Sequence, residues 1–137
     1  MSDNFFKDIQ NLIGKSGIRL ETGMTFRLAD TAPWVEATTP FSDIHGDLIQ
    51  FYIRKNLVGY TFLDDTLGIY EVATQKNKDI LNLVLPLFGV EQSRGQLKVE
   101  IAKEQDFYTG ILRLLAAITL VDALVEKEQG KVTSSKR

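Results

Sequence analysis

Two short acidic runs carry the residue types best suited to chemistry. The first is Asp43-Ile44-His45-Gly46-Asp47, which contains the one histidine of the chain. In extended backbone, residues 43, 45 and 47 would share a face, because strand side chains alternate. Two carboxylates and an imidazole on one face are a ligand set for a divalent cation. Gly46 opposes that geometry because it marks a turn, and Asp and Gly are also the residues that a polar turn requires. The second run is Asp64-Asp65. Paired acids at a strand end can hold a metal or move a proton. Equally, one of them can cap a following helix by accepting its first N–H groups.

The element between the two runs is the clearest in the chain. Leu48 to Arg54 is β-branched and aromatic, Lys55-Asn56-Leu57 reads as a turn, and Val58 to Leu63 returns. This pattern predicts a β-hairpin. An antiparallel pair sets the start of one strand beside the end of the other, so Asp47 is expected next to Asp64. The chemistry that follows is a metal-dependent hydrolase or nuclease. Asp47, Asp64, Asp65 and His45 are its catalytic candidates, and Asp43, His45, Asp47 and Asp64 its metal ligands. A divalent metal is the one cofactor this reading calls for. Otherwise none is expected.

Other signatures are missing. There is no Ser–His–acid triad, no Walker motif and no Gly-rich dinucleotide fingerprint. Glu36, Glu71, Glu100 and Glu126 all lack the lysine two residues on that an Asp…Glu-x-Lys nuclease needs. With no cysteine, disulfides, thiolate nucleophiles and Cys-based zinc sites are excluded.

Around the hairpin the periodicities are mixed. Residues 3–13 predict an amphipathic helix with Phe5, Ile9, Leu12 and Ile13 on one side, Asp3 as N-cap and Gly14 as its stop. Residues 17–39 alternate as short strands: Ile18 and Leu20, then Met24, Phe26 and Leu28, then Trp34 to Thr38, ended by Pro40. Asp65 or Thr66 could cap a short helical piece over 65–73, which Gly68 weakens. A helix is expected over 77–88 on Ile80, Leu81, Val84, Leu85 and Phe88, cut short by Pro86 and capped by Gly89. Leu97, Val99 and Ile101 then alternate as a strand. The last element is a long helix from about Gln105 to Lys127 that is apolar nearly all round between Ile111 and Val125. This order predicts an α+β fold: a mainly antiparallel sheet with an N-terminal helix, a middle helix and a long apolar C-terminal helix.

Such an apolar helix belongs in a core or in an oligomer interface. Arg113, Leu114, Ala117, Ile118, Val121 and Asp122 are the expected interface of a homodimer. Arg113 and Asp122 lie nine residues, about 14 Å, apart, so they cannot pair within one helix. Each must sit at an exposed edge, or pair with another element or a second subunit.

Bulk properties fit one soluble domain, residues 1–128, with a disordered tail at 129–137. The 137 residues carry 16 Lys and Arg against 18 Asp and Glu, with 44% hydrophobic residues. The sequence pI of about 5.4 argues against a large nucleic-acid footprint, although a local basic patch would still permit contact. There is no basic leader, and the 111–125 stretch is interrupted by Arg113 and Asp122 and is short of the roughly 20 residues a membrane span requires. A cytoplasmic location without membrane contact is expected.

Thr39-Pro-Phe-Ser-Asp-Ile-His-Gly-Asp-Leu-Ile-Gln-Phe-Tyr-Ile53 and Tyr60-Thr-Phe-Leu-Asp-Asp65 resemble a family of phages and bacterial mobile elements, domain of unknown function 1828. Lys78-Asp-Ile-Leu, Leu87-Phe-Gly-Val90 and the Leu114–Leu124 helix extend the resemblance over residues 15–127. The family pattern has Asp-Gly-Asp before one strand and Asp-Asp-Gly after the next. Here the first acid is His45 and the last glycine is Thr66. The resemblance implies a mobile-element origin and carries no activity. On the missing catalytic signatures and the one over-apolar helix, the expected function is a non-catalytic protein-binding module, homodimeric through that helix and acting on a host or phage protein as a regulator or an anti-defence factor. The metal-dependent hydrolase is the alternative.

Overall fold

The computed structural model describes residue 7 and residues 24–29, 34–64 and 68–134. Six strands form one sheet in the order β1-β2-β3-β4-β6-β5, with every neighbouring pair antiparallel. They are β1 (Thr25–Leu28), β2 (Val35–Ser42), β3 (Leu48–Lys55), β4 (Tyr60–Asp64), β5 (Glu91–Ser93) and β6 (Gln96–Ile101). Among residues 24–134 as described, two α-helices accompany them, α1 (Gln75–Val84) and α2 (Phe107–Ser134). The α+β class and the antiparallel sheet stand as expected. The expected N-terminal helix over 3–13 and the strand at Ile18–Leu20 lie outside the described residues, apart from Lys7.

Alternation divides the sheet into two faces. Val35, Ala37, Ile49, Phe51, Ile53, Tyr60, Phe62, Leu97 and Val99 are buried on one face, which forms the core with Ile111, Leu114, Ile118 and Val125 of α2. Phe62 and Phe107 meet edge-to-face with centroids 5.1 Å apart, so the first turn of α2 is locked to the central strands. The opposite face is polar. There Glu36 accepts from the Arg27 guanidinium at 2.5 Å and from the Tyr52 hydroxyl at 3.2 Å, and Arg54 stacks on Trp34 at 4.9 Å.

Several elements differ from the periodicity reading. β2 does not end at Pro40 but runs on to Ser42, with a register irregularity between Thr38 and Ser42. A bulge is where a strand accommodates a residue that lacks an N–H. β5 was not foreseen. It joins β6 through Arg94-Gly95, both at positive φ (53° and 79°), the backbone of a tight two-residue hairpin. The middle helix is α only to Val84. Around Pro86 it tightens into a 3-10 turn, Leu85–Phe88, and Gly89 closes it at φ +71°. α2 continues past Lys127 and through Gly130 to Ser134, so residues 129–134 of the expected disordered tail are helical. One interior glycine costs a helix only about 1 kcal/mol, and the neighbours Glu126, Lys127, Glu128 and Gln129 are good helix formers.

A carboxylate joins the two helices. Glu128 of α2 accepts from the backbone N–H groups of Ala73 and Thr74, the Thr74 hydroxyl and the Asn77 side-chain amide, at 2.6–3.1 Å. Thr74 is itself the N-cap of α1 and accepts from the Asn77 N–H. These donors hold the Glu128 carboxyl down at about 2.

By length and composition α2 is apolar enough to cross a bilayer. The stretch expected to be too short is therefore part of a longer apolar helix. One side of that helix is nonetheless packed into the sheet's core.

Candidate functional site

The loop between β2 and β3 holds the first acidic run. It is a turn, as Gly46 implied, with Gly46 at φ +84°. Asp43 organises it: its Oδ1 accepts the backbone N–H of His45 at 2.8 Å and of Asp47 at 3.0 Å. Asp43, His45 and Asp47 therefore do not form a strand face, and the polar-turn explanation accounts for them.

Two elements clamp this loop. His45 Nε2 lies 3.0 and 3.1 Å from the two carboxylate oxygens of Glu71, in the 3-10 turn Gly68–Glu71. That hydrogen bond and charge raise the His45 pKa, with smaller contributions from Asp43 and Asp122. On the other side, the Ile44 backbone N–H donates to Asp122 of α2. Asp122 has a raised pKa, chiefly because it is half-buried and then because Asp43, Asp64 and Glu71 surround it with like charge. A cavity of about 260 Å³ lies between the loop and α2, with Asp43, Ile44, Ile49, Thr119 and Asp122 in its walls.

The structure thus gathers Asp43, His45, Asp64, Glu71 and Asp122 in one electrostatic neighbourhood. Asp64 shares the core face of β4 with Phe62 and is only 2% exposed. The expected Asp47–Asp64 neighbourhood is not formed. Asp64 pairs with Phe51, so Asp47 is four residues further along β3, roughly 13 Å of strand away. The hairpin is lopsided because β3 is longer than β4. Asp65 lies outside the described residues. Among the described residues, no three His, Asp or Glu side chains are grouped so that they could hold a metal ion.

Glu71 was not among the sequence candidates. It lies 26 positions from His45 within an ambiguous segment, and no local pattern links the two. Asp122 was singled out, but as an interface residue.

Four of the interface candidates are buried within the chain. Leu114 and Ala117 are fully buried, and Ile118 and Val121 are 2% exposed, all in the core. A second subunit cannot reach them without unfolding this one. Arg113 lies against Gly89 and Asp122 against Ile44 within the chain.

The outward side of α2 is different. Tyr108 and Leu112, one turn apart, are 37% and 45% exposed, and Ala116, Thr119 and Ala123 continue the exposed stripe. Leu83 of α1 and Leu87 of the 3-10 turn are more than two-thirds exposed, and Phe88 is also on the surface. The contact between Gly89 and Arg113 joins these two helical segments.

A family model described as a domain of unknown function, DUF1828, matches residues 39–121, more than half of the chain. The chain belongs to this family. The DUF1828 match starts at Thr39 and takes in the clamped loop, β3 to β6, α1 and most of the core turns of α2. Neither a curated protein nor a solved structure matches the chain.

Proposed function

We propose that this DUF1828 domain is a non-catalytic protein-binding module, and that it binds through the apolar surface where the α1 end meets α2. The observation that carries this reading is the exposure of Leu83, Leu87, Phe88, Tyr108 and Leu112 on either side of one intrachain contact. Exposed apolar groups gathered in this way mark interaction surfaces. Aromatic and arginine side chains are also the ones that dominate binding energy at interface centres. The polar cluster at the β2–β3 loop supports the same reading, because three of its carboxylates have a structural task. Asp43 builds the turn, Glu71 holds His45, and Asp122 holds Ile44. A mobile-element setting comes from the sequence resemblance, and a regulatory role towards a host or phage protein extends the binding reading. A second copy of the chain is one candidate occupant of the surface, through Tyr108 and Leu112 rather than Leu114 or Val121.

The test uses the full chain with Leu87→Glu and Leu112→Glu together. A partner identified by capture is purified and its affinity measured for both proteins, with native mass spectrometry reporting self-association. At least a tenfold loss in the variant, with an unchanged circular dichroism spectrum, supports the reading. Equal affinity overturns it. So does stabilisation of the wild type by Mg²⁺, Mn²⁺ or Zn²⁺ that Asp64→Asn abolishes, which would favour the hydrolase instead.

A further inference from the structure

Beside the proposed surface lies a groove of about 550 Å³. The end of α1 and its 3-10 turn form one wall with Asn82, Leu85 and Pro86, and β5 forms the other with Glu91 and Gln92. β5 is an edge strand, paired on one side with β6. Gly89 also lines the groove.

The Arg113 guanidinium stands against that glycine. A Cβ at position 89 would lie 2.6 Å from Nη1, so any other residue would displace the arginine. Glycine therefore serves twice here, allowing the left-handed backbone and leaving room for the guanidinium. Arg113 Nε is buried, and no acceptor among the described residues reaches it. Among the described residues no carboxylate forms an ion pair with it. Glu91, on the facing wall, pairs instead with Lys98 at 3.6 Å.

An arginine fork offers parallel N–H donors that match a carboxylate in a bidentate pair. A buried N–H without an acceptor is costly, and a charged one more so. Here the guanidinium stands against Gly89, which lines the groove, and Leu87, Phe88 and Leu112, the chain neighbours of Gly89 and Arg113, are exposed. We infer that this groove takes an acidic segment of a partner protein, whose carboxylate pairs with Arg113 while its apolar side chains cover Leu87, Phe88 and Leu112. The inference rests on the protein-binding reading and names the chemistry of the partner. Charge complementarity selects this occupant over a purely apolar one, which would leave the guanidinium desolvated and unpaired.

The test is a titration of the full ¹⁵N-labelled chain, observing the Arg113 Nε–H and Gly89 N–H signals. The probes are acetyl-Leu-Phe-Glu-amide, the same peptide with Gln in place of Glu, and inorganic phosphate. The glutamate peptide should shift both signals and bind at least tenfold more tightly than the glutamine peptide. Arg113→Lys, which keeps the charge but loses the fork, should remove that preference. Equal shifts with both peptides, or none, overturn the inference. Phosphate shifting the signals while the glutamate peptide does not would also overturn it, leaving a simple anion site. The capture experiment separates the two readings. A purified partner that binds wild type and Arg113→Gln equally, but not the Leu87→Glu, Leu112→Glu protein, leaves the binding module standing and removes the role of Arg113. Where Arg113→Gln does not fold, Arg113→Lys replaces it.

Discussion

The same substitution at two glycines of α2 should act with opposite sign. Gly110 sits in the second turn, where α2 crosses the sheet. A Cβ there would lie 2.6 Å from Phe62 Cε2 and 3.1 Å from Ile101 Cγ2. Phe62 has no room to yield: it is fully buried and edge-on to both Phe51 and Phe107. Gly110→Ala gains about 1 kcal/mol of helix propensity. Forcing a methyl into a packed core costs roughly 1–3 kcal/mol. The net expectation is a loss of about 1 kcal/mol, or a few degrees in Tm for a domain of this size. Gly130 is the control. It lies in the same helix with nothing within 4 Å of a built Cβ, so Gly130→Ala keeps the propensity gain, up to about 1 kcal/mol, less near the helix end. Urea unfolding followed by circular dichroism and by the single tryptophan, Trp34, reads both variants. A Gly110→Ala midpoint at or above wild type, with an unchanged slope, would refute the packing argument.

The titrating groups give three further expectations. The folded state depresses the Glu128 carboxyl to about 2, so its contribution is complete above its ordinary value of 4.5 and is lost as pH falls towards 2. Glu128→Gln should be less stable than wild type at neutral pH, and the difference should shrink in acid-denaturation curves across that window. His45 is raised above 6.5, so the stability it lends is complete below 6.5 and disappears as pH rises through the folded value. Glu71→Gln should bring the single histidine NMR titration back towards 6.5, and an unmoved curve would show that Glu71 is not its partner in solution. Asp122 has the opposite sense for a carboxyl. Its raised pKa means that its charge opposes folding above the folded value and not below the ordinary 3.8. Asp122→Asn, which keeps an acceptor for the Ile44 N–H, should raise Tm at neutral pH and lose that advantage in strong acid.

Local patterns were enough for much of the framework. The β-branched and aromatic run around Phe51 made the β3–β4 hairpin legible, because strand propensity and a short polar turn agree there. Pro86 and Gly89 announced the end of the middle helix, since each restricts the backbone in its own way. Gly46 pointed correctly to a turn through the acidic run. What these patterns do not contain is register and partnership over distance. The pairing of Phe51 with Asp64 separates Asp47 from Asp64, although hairpin symmetry alone would have joined them. His45 meets Glu71 across 26 positions and Glu128 reaches Thr74 across 54, contacts that exist only once the helices dock on the sheet. Composition likewise shows α2 to be apolar nearly all round, but not which side the sheet takes. Packing against Phe62 and its neighbours buried Leu114, Ala117, Ile118 and Val121 and left Tyr108 and Leu112 facing outward. That choice, made by the shape of the core, decides which residues a partner can meet.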